Sequence, residues 1–298
     1  MVKSKMEERI RDHIVICNWS AQAEFVLQEL RSSVLKERRP VIIVSATPDD
    51  IPRNLAPYFD LVFVVPGDPM DEQVLRRTNV REANTAIVLA DSREGSYADM
   101  KSILIALAIE AIEPRVYTVV ELLQTRNRAY FEHTHVDEIV CSAELMEKLL
   151  SQSVITHGAS LIFQHLLTAT EDTNELYKIP VPPAFLRRTY RELEARILND
   201  DTLEVILLGL VTKDTKERSG QKLRNHEGHE IEVEQLTLNP RSPGSKSTHA
   251  IDRNYALQAG DTLIVMAYEY PESLQFLDFK EKKNKKKARK LISLEEDQ

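Results

Sequence analysis

Five stretches in the first half of the chain are short, near-continuous apolar runs: residues 13–17, 41–44, 61–65, 85–89 and 116–120. A weaker sixth covers 138–141. Runs without polar alternation fit parallel strands buried on both faces. The segments between them carry apolar positions at helical spacing. Residues 21–37 place Phe25, Val26, Leu30 and Val34 on one face, and 71–82 follow Pro69 with Val74, Leu75 and Val80. Residues 99–113 are rich in Ile, Leu and Ala and stop at Pro114, and 122–133 follow the fifth strand. Alternating units of this kind predict an open parallel sheet with right-handed crossovers.

The pattern changes after Cys141. Residues 142–170 hold no strand signal but a long apolar periodicity through Leu145, Leu149, Val154, Leu161 and Leu166, interrupted at Gly158. Two helices with a bend near His157-Gly158 are expected. Their apolar face has little of its own chain to cover it, which suggests a partner subunit. From Leu176 onward the chain reads as a small α+β unit, with strands at 177–181, 205–211, 231–238 and 262–267 and a helix at 189–198. Residues 212–228 and 239–247 read as polar loops. The expected organisation is an N-terminal lobe over 11–141, a crossover helix pair over 142–172, a C-terminal lobe over 173–279 and a charged tail over 280–298.

Composition narrows the function. The chain has 298 residues, 42% hydrophobic and 29% charged, with a net charge of -8. That describes a water-soluble fold and argues against general nucleic-acid binding. No apolar run approaches the roughly 20 residues that cross a bilayer. Cys17 and Cys141 lie in apolar runs and form no disulfide framework, which fits buried thiols and a reducing cytoplasm. The basic run within 280–290 reads as a solvated tail or a contact with anionic lipid headgroups.

The sharpest local feature is the first strand, turn and helix, His13-Ile-Val-Ile-Cys-Asn-Trp-Ser20 onward. A doubly wound, Rossmann-like α/β domain puts its phosphate loop there. The glycines of G-x-G-x-x-G are replaced by Asn18, Ser20 and Ala23. Asn18 and Ala23 carry Cβ atoms where a pyrophosphate needs close approach. No acidic residue ends the second strand, Val44-Ser45-Ala46-Thr47, and Asp49 and Asp50 come late. Two readings stay open: a plain structural turn, or a nucleotide site at Asn18, Trp19, Ser20, Ser45, Asp68, Ala90 and Asp91. Ser20 is the candidate N-cap or phosphate donor. Hydride chemistry is not expected, because no substrate-side catalytic set is visible.

The order of these parts resembles the regulator of K+ conductance (RCK) family, the ligand-sensing modules of prokaryotic K+ channels and of Trk/Ktr-type transporters. The residues behind the resemblance are the Cys17-Asn-Trp-Ser20 loop, Pro66-Gly-Asp-Pro69 with Leu75 and Ala83-Asn84, Ala86-Ile-Val-Leu-Ala-Asp91, and Asp261-Thr-Leu-Ile-Val265 after Gly260. It implies a cytoplasmic, non-enzymatic gating module at the inner face of the cell membrane. Pairing would run through Leu145, Leu149, Val154, Leu161, His165 and Leu166, giving a homodimer within a ring of eight lobes. The partner would be a K+ channel pore or the membrane subunit of a transporter, with any membrane contact through that partner or the basic tail. The implied ligands are NAD or an adenine nucleotide, or Ca2+. For calcium, the register puts Ala90 and Leu123 where two of the family's three carboxylates would stand, and retains only Glu121. Asp91 is a second weak candidate with Glu121, and Asp91, Glu94 and Asp99 could build a different set. His133 and His135, in Glu-His-Thr-His, read as a solvated helix end.

Overall fold

The computed structural model describes residues 10–31, 38–52, 61–131, 134, 136–168, 173–214, 233–242, 251–275 and 277. The chain divides into two compact units, Met1–Thr170 and Glu171–Gln298. His133, His135, the basic run and most of the two polar loops lie outside the described residues.

In the first unit six strands form one parallel sheet: β1 (His13–Cys17), β2 (Val41–Ser45), β3 (Val62–Pro66), β4 (Ala83–Val88), β5 (Tyr117–Leu122) and β6 (Glu138–Cys141), in the order β3-β2-β1-β4-β5-β6. This is the doubly wound, Rossmann-like arrangement, with the order reversing between β1 and β4. β1 and β2 read as unbroken apolar runs because both faces are covered. On one face Val15, Cys17, Ile42, Val44 and Val88 pack with Ile105 and Ile109. These last two belong to helix α3 (Ala98–Ile112), which follows helices α1 (Ala21–Glu29) and α2 (Glu72–Arg77) in the chain. On the other face Ile16, Val41 and Ile43 pack with Trp19, Ala23 and Leu27.

Two expected helices are shorter than their periodicity suggests. α2 ends at Arg77 because the Thr78 hydroxyl donates to the Leu75 carbonyl (2.6 Å) and Asn79 turns left-handed at φ 54°. Only a 3-10 turn, Val80–Glu82, continues it. The segment after β5 forms a 3-10 run, Thr125–Phe131, in place of an amphipathic helix. The residues leading into it, Leu123 and Gln124, and the Asn127 side chain are bonded to a carboxylate on α3, described below.

Helices α4 (Ser142–Ile155) and α5 (Ala159–Leu167) follow, separated by Gly158 at φ 88°, where the interruption was expected. α4 contains no buried residue. Leu145, Met146, Leu150, Val154, Ile155, Leu161, Ile162 and Leu167 are all exposed, Val154 by 78%. Among the described residues no helix is long and apolar enough to cross a membrane.

The second unit is a four-stranded antiparallel sheet in the order β7-β10-β8-β9. Its strands are β7 (Glu175–Pro180), β8 (Val205–Asp214), β9 (Val233–Leu238) and β10 (Thr262–Ala267). Helix α6 (Tyr190–Leu198) covers one face and buries Tyr190, Leu193 and Ile197. A reciprocal capping box starts it: Thr189 accepts from the Glu192 N–H, and Glu192 accepts from the Thr189 N–H. A short helix, α7 (Glu272–Gln275), closes the unit. β8 runs three residues further than its apolar stretch, because Thr212 pairs with Gln235 on β9. Gly209 permits that pairing: a Cβ there would lie 2.1 Å from the Thr237 carbonyl oxygen.

Candidate functional site

The carboxyl ends of β1, β2, β4 and β5 meet where the strand order reverses, the usual ligand position in such sheets. Three of the expected residues sit in the first loop. Asn18 takes the left-handed conformation a glycine would have supplied, at φ 71°. Asparagine adopts it at small cost. Its N–H donates to the Val44 carbonyl (2.9 Å), and its Nδ2 donates across the crevice to the Leu89 carbonyl (2.8 Å). Trp19 is buried with Ile51, Leu27 and Leu89. Ser20 stands at the N-cap of α1, yet its hydroxyl makes no cap bond and has no partner.

The other expected residues are engaged separately. Ser45 Oγ accepts from the Thr47 N–H (3.1 Å), and Asp68 accepts from the Met70 N–H (3.0 Å) in the turn after β3. The Ala90 N–H donates to Glu121 (3.0 Å). Glu121 is half-buried, and desolvation raises its pKa, with Asp99 adding to the rise and the Ala90 N–H opposing it. Asp91 caps its own turn by accepting from the Arg93 N–H (3.0 Å).

Arg93 was not singled out in the sequence, and it dominates this edge. Its Nε and Nη2 donate to Asp91 (2.9 and 2.8 Å), its Nη1 donates to Asp50 (2.6 Å), and Nη2 also reaches the Trp19 carbonyl (3.4 Å). The guanidinium holds both carboxyls below their ordinary pKa range. Asp50, late in sequence, is returned to the crevice by the 3-10 turn Pro48–Asp50.

The possible cation set Asp91, Glu94 and Asp99 is not gathered. Asp91 binds Arg93, and Glu94 binds Lys101 (2.9 Å). Asp99 is buried and accepts from the Leu123 N–H (2.8 Å), the Gln124 N–H (3.1 Å) and Asn127 Nδ2 (2.6 Å). Among the described residues no group of three or more His, Cys, Asp or Glu could hold a metal. Burial pushes the Cys17 thiol up to about 12, so it is un-ionised and unreactive at neutral pH.

On α4 and α5, Leu145, Val154 and Leu161 are exposed, Leu149 and Leu166 are half-buried, and His165 is exposed. Most of the apolar side chains on these two helices are thus left uncovered by the chain's own described residues.

Comparison with known proteins agrees with this geometry. Residues 9–120 match the calcium-activated potassium channel slowpoke-like RCK domain. The calcium-gated potassium channel TvoK of Thermoplasma volcanium is 24% identical over 174 residues, which is 57% of this chain and 48% of that protein. The calcium-activated potassium channel slowpoke of Drosophila melanogaster is 24% identical over 260 residues, 76% of this chain and 21% of that protein. The chain thus spans about half of the first relative and less of the second. The human SLO3 gating ring superposes with a TM-score of 0.60 at 16% identity, covering 91% of this chain and 47% of that one. At that identity the likeness is one of fold.

Proposed function

The N-terminal unit of this chain is an RCK domain, and from that premise we propose that the protein is a gating module for potassium flux. It works by binding and not by catalysis, at the cytoplasmic mouth of a K+ channel pore. The observation that carries the assembly part is the exposed apolar surface of α4 and α5. A second copy of the chain covers it, making a homodimer that builds into a ring. A ligand drives such a ring only through its different affinities for two ring states. Calcium is the leading signal, because the channels it resembles are named as calcium-gated and calcium-activated. NAD or an adenine nucleotide is the second class. A soluble regulatory subunit of a Trk/Ktr-type transporter is the alternative, in which the same module acts on a separate membrane protein.

The test is potassium flux through liposomes holding the gene product together with its pore, with Ca2+ raised from zero to millimolar. Light scattering on the same protein gives its assembly state. Calcium-dependent flux from an assembly of at least two copies is expected. A monomer at high concentration, or flux indifferent to Ca2+, Mg2+ and adenine nucleotides, overturns the reading.

A further inference from the structure

At the switch-point crevice the chain's own side chains take the groups that a ligand would use. The Leu89 carbonyl at the end of β4 accepts from Asn18. The Ala90 N–H is held by Glu121. The Trp19 carbonyl in the first loop is reached by Arg93. Asn18 belongs to the β1 side of the crevice and Leu89 to the β4 side, so the first of these bonds spans the opening.

The Arg93 guanidinium spans it a second time. Asp50 follows β2, on one half of the sheet, and Asp91 follows β4, on the other. The planar fork binds Asp91 through two nitrogens and Asp50 through the third. A guanidinium is suited to this because its donors are fixed in one plane, where a lysine would offer a single point of charge. The Asp91 side chain is 13% exposed, while Arg93 and Asp50 are about half exposed, so the clasp is shielded only at its Asp91 end. The turn that carries Arg93 is itself pinned, because Lys101 on α3 pairs with Glu94.

We propose that Arg93 is a built-in occupant of the switch-point crevice: a clasp that ties its two halves together in place of a nucleotide and excludes phosphate ligands from the first loop. The clasp accounts for the absence of the phosphate-loop glycines. With no pyrophosphate to approach, the loop accommodates Asn18, a buried Trp19 and Ala23. The inference goes beyond the gating reading, and it narrows the signal to something other than a nucleotide in this crevice.

The test is hydrogen–deuterium exchange on the full chain, with ADP as the probe ligand. In Arg93→Gln, amides in residues 18–23 and 89–94 should exchange about tenfold faster, equivalent to about 1.4 kcal/mol of local opening. Exchange in β10 should not change. Asp50→Ala removes the arm across the crevice, and should speed exchange in residues 47–52 while the Asp91 fork persists. It stands as the second variant if Arg93→Gln does not fold. Millimolar ADP should neither raise the melting midpoint of the unaltered protein nor slow its exchange at 18–23. Unchanged exchange in a folded Arg93→Gln or in Asp50→Ala overturns the clasp, as does protection of residues 18–23 by ADP in the unaltered chain. None of these readouts involves potassium flux or assembly, so the clasp and the gating function fail separately.

Discussion

Replacing Asp99 with alanine should destabilise the first unit by about 3 kcal/mol. The carboxylate is buried and satisfies three donors: two successive backbone N–H groups after β5 and the Asn127 amide. Removing it strands all three at once. Each unsatisfied donor costs roughly 1–3 kcal/mol. Leu123, Gln124 and Asn127 are only half-buried, so water can reach them and the low end of that range applies to each. Asp99 also lies in the first turn of α3, where a negative charge is favoured by the helix dipole. Asp99→Asn keeps one acceptor oxygen and should lose about half as much. Trp19 is the single tryptophan and is buried in this unit, so its fluorescence during urea unfolding reports the first unit alone. With a slope of about 2 kcal/mol per molar urea, the alanine variant should unfold about 1.5 M earlier. A loss below about 1 kcal/mol would mean that the turn after β5 holds itself without the carboxylate.

Three further outcomes are expected. Gly209→Ala should destabilise the second unit by at least about 2 kcal/mol, because its Cβ would meet backbone that cannot swing away; calorimetry of that unit's transition checks it. Leu149→Asp or Leu166→Asp should shift the assembly to monomer on a sizing column, since the new charge would be buried without a partner; dimers from both would remove the helix pair as the interface. Burial lowers the pKa of His13 from its ordinary 6.5, outweighing the Thr78 carbonyl and Asp12, which raise it. The unfolded chain therefore takes up a proton that the native state resists, so stability should fall as pH drops below about 6.5. A folded His13→Gln variant with the same pH dependence between 6.5 and 5 would assign that loss to other groups.

Strands were the most legible part of this chain. Residues 13–17 and 41–45 are apolar at nearly every position because each strand is covered on both faces, and that demand is written locally. The segment 122–133 was misread for the opposite reason. Its periodicity allows a helix, but the segment is a 3-10 run, and its entry is tied through Leu123, Gln124 and Asn127 to Asp99, 24 to 28 residues earlier, which no local pattern records. The candidate site was half legible. The loop after β1 could be located, and its missing glycines noticed. That Asn18 would adopt the glycine's own conformation follows from its chemistry, since asparagine is among the few residues that tolerate positive φ. Arg93 carried no local signal beyond its place two residues after Asp91. Its partners at Asp50 and Trp19 are 43 and 74 residues away, and only the folded sheet brings their loops together.

The clasp and the helix pair together constrain where a gating signal could act. A ligand moves an equilibrium only by binding one state better than another. At the crevice its gain would have to exceed the loss of the Arg93 fork, which is shielded at its Asp91 end. Glu121 already has one carboxylate oxygen committed to the Ala90 N–H. The surface of α4 and α5 has the opposite character. Many of its apolar side chains are exposed. Docking there gains free energy with little to undo, so small changes in the packing of two copies alter stability more readily than a nucleotide could at the loop. A ligand entering the crevice must first break the Arg93 fork, whereas a second copy docking on α4 and α5 need not.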